Sequence, residues 1–126
     1  MNDLTTTVDT YLAAWNETDR NQRTTLIEKA WSSGGRLIDP PLAAEGHAGI
    51  DEMVETLQSQ FPGHRFRRAS GIDTHHDHLR FGWELVSPDG TVVLAGLDVG
   101  EVADDGRLSR ITGFFGELPA VNGSPN

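Results

Sequence analysis

The sequence contains no cysteine, which excludes disulfide bonds, thiolate nucleophiles and thiolate metal sites. Basic residues are also scarce: ten Lys and Arg stand against nineteen Asp and Glu, giving a formal net charge of -9. Nucleic acids and anionic membrane surfaces bind through basic patches, so neither is an expected partner. No apolar run approaches the ~20 residues of a membrane span, and residues 1–10 lack the pattern of a signal peptide. We therefore expect a cytoplasmic protein.

The chain does have enough apolar residues for one hydrophobic core. It comprises 126 residues, of which 37% are hydrophobic, and this length suits one domain. No internal repeat is visible. We predict a single domain over residues 1–117 and a loose tail over residues 118–126.

Helical periodicity dominates the first half of the chain. The buried stripe predicted for the first helix follows the spacing i, i+3, i+4, i+7 and comprises Val8, Tyr11, Leu12 and Trp15. A second helix is predicted after Asp19, ending at residues 32–35. Residues 36–39 form a short extended piece that Pro40 and Pro41 stop. A third helix covers residues 50–61 and ends before a Pro-Gly pair.

Strand periodicity dominates the second half. Strands are predicted at residues 64–72, 78–86, 91–102 and 107–115, with hairpin turns at residues 87–90 and 104–106. Helices followed by an antiparallel meander predict an α+β fold, with the helices packed on one face of the sheet. Glycines in and beside the strands favour bends, so we expect a strongly bent antiparallel sheet that encloses a pocket.

The strand at residues 91–102 is apolar on both faces. Its predicted inner face carries Val92, Leu94 and Gly96, and its outer face carries Val93, Ala95, Leu97 and Val99. A layer of helices covers only one face of the sheet. We therefore predict a homodimer in which a second copy covers the outer face.

Three polar groups are expected to meet in the pocket. Asp98 shares the inner face of its strand, where a carboxylate is costly to bury unless it is hydrogen-bonded or protonated. Asp39 precedes the double proline, and Tyr11 lies on the buried stripe of the first helix. Each residue also has a plainer interpretation, with Tyr11 as core packing and Asp39 as a turn cap.

Large aromatic side chains are expected to line the same pocket, because they lie on faces turned toward the helices. They are Trp15, Phe61, Phe81 and Trp83. The His-rich residues 75–78 invite a metal interpretation, but metal sites draw ligands from several elements, and a turn here would be exposed. We expect a hairpin connection with one histidine, His76, facing the pocket, and neither a metal nor another cofactor.

The sequence resembles the SnoaL-like branch of the nuclear-transport-factor-two-like superfamily. The matching stretches are YLAAWNETD (11–19), IDP (38–40), GHAGI (46–50), HHDHLRFGW (75–83), GLD (96–98), DGR (105–107) and GFFG (113–116). The resemblance implies a cone-shaped, cystatin-like α+β fold. It implies no single activity, because the superfamily mixes isomerases, cyclases, dehydratases, epoxide hydrolases and binding proteins.

Within that superfamily, the polar pattern is similar to that of ketosteroid isomerase. Tyr11 begins a Tyr-x-Ala-Ala-x-Asn stretch, Asp39 precedes a proline, and Asp98 lies late in a strand after a hairpin. The resemblance implies that Asp39 is a general base. It also implies that Tyr11 and a protonated Asp98 donate hydrogen bonds to an enolate oxygen.

Two functions from different classes remain open. The first is a cofactor-independent isomerase or polyketide cyclase that acts by proton transfer on a small apolar carbonyl compound. The second is a non-catalytic small-ligand-binding or dimerisation module of the same fold. An epoxide hydrolase ranks below both, because the resemblance would require an Arg-x-Asp strand and residues 80–82 lack the acid.

Overall fold

The structure is a computed structural model that describes residues 4–40 and 42–122. Its helices are α1 (Leu4–Asn16), α2 (Arg20–Ala30) and α3 (Gly46–Gln60). Its strands are β1 (Trp31–Asp39), β2 (Leu42–Glu45), β3 (Arg65–Arg68), β4 (Asp73–His75), β5 (His78–Val86), β6 (Val92–Val102) and β7 (Leu108–Phe115). The α+β class predicted from the sequence is confirmed. Residues 1–3, Pro41 and the last part of the predicted tail, residues 123–126, lie outside the described residues.

The seven strands form one mixed sheet. The strand order is β2-β1-β7-β6-β5-β3, and β4 pairs with β5. All paired strands are antiparallel except β1 and β7, which run parallel. The prediction of a wholly antiparallel sheet is therefore wrong. A parallel pair needs a long connection between its strands. Here the connection is the whole chain from β2 to β6, including α3.

The predicted boundaries near β1 are also wrong. Residues 32–35 do not end α2 but belong to β1, which begins at Trp31 and changes register before Arg36. The side chain of Trp31 occupies the space above Gly35, where a Cβ atom would collide with the indole ring. The unpredicted strand β2 then forms a hairpin with β1, in which Asp39 faces Leu42. This hairpin holds Asp39 at the end of a paired strand.

The core lies between the helices and one face of the sheet. Strand β5 alternates as predicted, and its buried residues are Leu79, Phe81, Trp83 and Leu85. On the other face of the sheet, Val93 is 45% exposed and Leu97 is 39% exposed. The predicted strand at residues 64–72 is too long, since only β3 (Arg65–Arg68) falls within it and the unpredicted β4 (Asp73–His75) follows it. No helix within the described ranges is long and apolar enough to cross a membrane.

A buried charged network joins the three helices. Arg23 is 1% exposed and its Nε donates to Asp51 in α3. Its Nη1 donates to Glu17 O at 3.0 Å and to Gln58 Oε1 at 3.2 Å. Gln58 Nε2 in turn donates to the carbonyl oxygen of Trp15 at 3.0 Å. The network therefore fixes the end of α1, and with it the Trp15 side chain, against α3.

Candidate functional site

Asp98 is a buried carboxyl group held by two hydrogen bonds. Only 4% of its surface is exposed. Tyr11 Oη donates to Asp98 Oδ2 at 2.9 Å, and Trp83 Nε1 donates to Asp98 Oδ1 at 3.1 Å. The two donors come from α1 and β5, so the helix layer and the sheet both contribute to the position of the carboxyl group.

Packing around Tyr11 and Trp83 directs their polar atoms toward Asp98. The Tyr11 ring makes edge-on contacts with Trp31, at a centroid distance of 5.7 Å, and with Phe81, at 6.3 Å. Trp83 lies opposite Gly96 in the β5–β6 pair. A Cβ atom at Gly96 would lie 2.8 Å from Trp83 Cε2, so the glycine leaves the space that the indole ring occupies.

Asp39 brings a second carboxyl group to the same place. It ends β1, where the neighbouring Ile38 pairs with Thr112 of β7. Its Oδ1 atom is buried and has no hydrogen-bond partner among the described residues. The Oδ1 atoms of Asp39 and Asp98 both lie within 3.1 Å of the point where a Gly113 Cβ atom would stand. The structure thus brings together Tyr11, Asp39 and Asp98.

Burial makes all three groups harder to ionise. It raises the pKa of Asp39 to about 6. It also raises the pKa of Asp98 to about 7; the charge of Asp39 adds to this rise, and the hydrogen bonds from Tyr11 and Trp83 oppose it. The pKa of Tyr11 lies well above its ordinary value because of burial and the Asp98 charge. Near neutral pH, Asp39 is therefore mostly ionised and Asp98 is about half protonated.

A cavity of about 260 Å³ opens beside these groups. Its lining is mostly apolar and comprises Trp15, Asp39, Pro40, Leu42, Met53, Leu57, Gln60, Phe61, Phe66, Trp83, Leu85, Leu94 and Phe115. Asp39 is the charged residue in this lining, and Trp83 connects the lining to Asp98. Tyr11 and Asp98 themselves do not belong to the lining residues.

Two residues assigned to the pocket from the sequence lie elsewhere. Phe81 is 1% exposed and packs against Tyr11 in the core instead of lining the cavity. His76 is exposed in the turn between β4 and β5, with a φ of 55°. The register pairs His75 with His78 across this turn, and both turn residues, His76 and Asp77, are exposed. The predictions that Phe81 and His76 line the pocket are therefore wrong.

Several site residues were missed by the sequence interpretation. Phe66 and Phe115 line the cavity, and both contact Trp83 edge-on, at centroid distances of 5.5 and 5.7 Å. Both are large apolar residues in predicted strands, so the alternation of those strands could have placed them on the face toward the cavity. The Trp83 Nε1 donor and the space over Gly113 carry no comparable signal, because they depend on pairing between distant strands.

The described residues near the cavity form neither a metal site nor the arginine-containing site of an epoxide hydrolase. Within residues 4–40 and 42–122, no group of three or more His, Asp or Glu side chains could hold a metal ion. Arg80 does not line the cavity; it is exposed and its Nε donates to Asp73 Oδ2 at 2.8 Å across β4 and β5. The arginine that an epoxide hydrolase would require is thus not part of this site.

The raised pKa of Asp98 predicts how stability depends on pH. Between about pH 4 and pH 7 the folded protein holds a proton on Asp98 that the unfolded chain has lost. The contribution of this group to the free energy of unfolding therefore falls as pH rises, by a few kcal/mol in total. In Asp98→Asn, the difference between the free energies of unfolding at pH 5 and pH 8 should shift in favour of pH 8 by the part of that total that lies above pH 5, about 2–3 kcal/mol.

Urea titrations at the two pH values measure this difference. The exposed Asp104→Asn variant is the matched control, because it removes a carboxyl group without touching the site. An equal pH dependence in wild type and Asp98→Asn would contradict the raised pKa.

Comparisons with known proteins place this chain in a family. No family model matches the chain, and no match is found among curated proteins. Among solved structures, a proposed isomerase of the SnoaL-like family from Agrobacterium tumefaciens str. C58 is 41% identical. The match covers 93% of this chain and 100% of that chain, with a TM-score of 0.86.

More distant structures agree in fold. A nuclear-transport-factor-two-like protein of unknown function from Exiguobacterium sp. 255-15 is 18% identical over 89% of this chain and 99% of that chain, with a TM-score of 0.70. A proposed SnoaL-like polyketide cyclase from Jannaschia sp. CCS1 is 19% identical over 88% and 85%, with a TM-score of 0.65. These two matches show the nuclear-transport-factor-two-like fold, and the identity to the Agrobacterium protein goes further: the chain belongs to the SnoaL-like family.

Proposed function

We propose that this protein is a cofactor-independent enzyme that moves a proton next to a carbonyl group, in an isomerisation or a cyclisation. The observation that carries the proposal is the pair of buried carboxyl groups. Asp39 lines an apolar cavity, and its buried Oδ1 atom has no hydrogen-bond partner among the described residues. Asp98 lies beside it and is hydrogen-bonded to Tyr11. The Agrobacterium relative, described as a proposed isomerase, supports the same class of reaction.

Asp39 is the proposed general base. A base works best when its pKa lies near the operating pH, and burial raises the pKa of Asp39 to about 6. In the proposed step, the C–H bond next to the carbonyl breaks and the proton moves to the Asp39 carboxylate. The electron pair moves to the carbonyl oxygen, which becomes an enolate. An isomerase would then return the proton from Asp39 to a different carbon.

Tyr11 and Asp98 are the proposed donors to the enolate oxygen. A carboxyl group can donate a hydrogen bond only when it is protonated, and the pKa of Asp98, about 7, makes that form abundant at neutral pH. Tyr11 donates to Asp98 in the free protein. When Asp98 carries a proton, the Tyr11 hydroxyl can turn its own hydrogen toward the substrate oxygen, since both groups are then donors.

The cavity supports a small, neutral and mostly apolar substrate. Its volume of about 260 Å³ suits a molecule of one or two rings, since it lies just below the range of about 300–1,000 Å³ typical of ligand pockets. None of the described lining residues is Lys, Arg or His, so a carboxylate substrate would find no counter-ion. We also propose that the sheet bends around the helices and thereby encloses this cavity.

A non-catalytic ligand-binding module is the second candidate, and one observation favours it. Tyr11 and Asp98 are not among the residues that line the cavity. Their hydrogen bond would then serve only to hold α1 against the sheet. The two candidates differ in whether the Tyr11 hydroxyl reaches a bound ligand.

Binding of a planar phenol distinguishes them. 2-Naphthol mimics a small enolate, and its oxygen should accept a hydrogen bond from Tyr11. Tyr11→Phe removes only the hydroxyl, so affinity should fall by about tenfold or more, the value of one lost hydrogen bond to a charged or buried oxygen. Quenching of tryptophan fluorescence measures binding, because Trp15 and Trp83 line the cavity.

2-Methylnaphthalene, which lacks the hydroxyl, is the control ligand and should bind wild type and Tyr11→Phe equally. Equal 2-naphthol affinities in the two proteins would favour the binding module and remove Tyr11 from the site.

Removing the base should separate turnover from binding. Asp39→Asn keeps the size of the side chain but cannot accept the substrate proton. Conversion of one- and two-ring β,γ-unsaturated ketones to their conjugated isomers, followed by ultraviolet absorbance, should slow by roughly 10²–10⁴-fold. 2-Naphthol should still bind.

The exposed Asp73→Asn variant, whose carboxyl group pairs with Arg80 away from the cavity, is the control and should keep full activity. Undiminished turnover by Asp39→Asn would exclude Asp39 as the base.

We also propose that the protein is a homodimer that buries the outer face of β6. Val93, Leu97 and the neighbouring Phe114 of β7 form an exposed apolar surface, and Phe114 is 55% exposed. Leu97→Glu should convert the dimer to a monomer in sedimentation velocity at micromolar concentration. The control is Val121→Glu, which places the same charge on an exposed residue outside the sheet. A monomeric wild type would refute the assembly.

A further inference from the structure

Gly113 occupies the point of the sheet where the two site carboxyl groups meet. Strand β7 lies between β1 and β6 in the strand order. Gly113 pairs directly with Asp98 of β6, and the residue before it, Thr112, pairs with Ile38, the neighbour of Asp39. The two aspartates therefore approach Gly113 from its two sides.

No side chain fits at position 113 without moving Asp39. A Cβ atom there would lie 2.8 Å from Asp39 Oδ1, 3.1 Å from Asp39 Cγ and 3.1 Å from Asp98 Oδ1. The first distance is shorter than a normal contact between a Cβ atom and an oxygen. The space above Gly113 is thus filled by the two carboxyl groups themselves.

We propose that Gly113 is a positioning residue whose missing side chain lets Asp39 and Asp98 share one proton between them. The inference rests on the proposed function for its role in turnover, but the sharing itself requires only the geometry above. Two neighbouring carboxyl groups resist being ionised together, so removal of the first proton hinders removal of the second.

Proton sharing would couple the removal of the substrate proton by Asp39 to the donation of a proton by Asp98 toward the carbonyl oxygen. When the substrate C–H bond breaks, Asp39 gains a proton and loses its negative charge. The proton on Asp98 is then easier to release, so Asp98 can pass it toward the carbonyl oxygen as the electron pair arrives there. One O–H bond forms on Asp39 as the other is given up by Asp98. The pair carries one negative charge before and after the step.

The described groups around Asp39 and Asp98 do not change charge near neutral pH, so each of the two carboxyl groups mainly responds to the charge of the other. Tyr11 from α1 is a titratable neighbour of Asp98, and its hydroxyl stays protonated at neutral pH, since burial moves its pKa still further above neutrality. Trp83 from β5 contributes an indole N–H that does not titrate in water. The described residues of the cavity wall include no Lys, Arg or His to compensate a second negative charge.

Carbon-13 titration of the aspartate carboxyl groups in the 126-residue chain tests the coupling without a substrate. In wild type, the signals of Asp39 and Asp98 should each respond to both protonation steps. Gly113→Ala should displace Asp39 and reduce each signal to one step. The matched control is Gly82→Ala in β5, where a new Cβ atom would lie 3.5 Å from Ser70 Oγ, an ordinary contact.

A second variant keeps the test decisive if Gly113→Ala does not fold. Asp39→Asn removes the neighbouring charge and should lower the midpoint of the Asp98 titration by about one pH unit. In a folded Gly113→Ala background, the same change should have little effect. An unchanged Asp98 midpoint in Asp39→Asn, or two-step titration that persists in Gly113→Ala, would overturn the inference.

Activity assays separate this inference from the proposed function. If the titrations are coupled but no β,γ-unsaturated ketone is isomerised, the role of Gly113 stands and the enzyme assignment fails. If isomerisation depends on Asp39 but the titrations are independent, the enzyme assignment stands and the role of Gly113 fails.

Discussion

The buried carboxyl group of Asp98 is the constraint on which the rest of the site depends. Burying a carboxylate is costly unless hydrogen bonds or a proton compensate. Here Tyr11 and Trp83 supply the hydrogen bonds, and each reaches Asp98 only because its ring is packed among other aromatic rings. The apolar core and the polar site therefore depend on the same residues. The aromatic rings that exclude water also hold the hydroxyl and indole N–H groups that donate to Asp98.

The order of the strands adds the second carboxyl group. Because β1 inserts beside β7, Asp39 at its end comes within reach of Asp98 on the far side of β7. The Arg23 network acts at the other wall of the cavity, where it anchors the end of α1 and thus Trp15. Two distant sets of contacts therefore control the two walls between which a ligand would lie.

Local patterns in the sequence were sufficient for the parts of the site that depend on one element. The helical stripe placed Tyr11 and Trp15 on a buried face, and strand alternation placed Trp83 and Asp98 toward the helices. Pairing between distant strands could not be derived from local patterns, so the parallel β1–β7 pair and the close approach of the two carboxyl groups to Gly113 were missed. The run at residues 32–35 resembles a helix end, but sheet pairing extends β1 back to Trp31. His76 was misplaced because a two-residue turn reverses the direction that alternation predicts.

The parallel pairing of β1 with β7 also has a consequence for how the protein folds. The pair joins the first strand of the chain to the last, so its contacts have a large separation in sequence. Closing so long a loop costs chain entropy before any contact compensates for it, and such pairings slow folding. A chain emerging from the ribosome could build its helices and the β5–β6 hairpin early. The two aspartates would come together only after β7 had been synthesised and paired, so the carboxyl pair would form last.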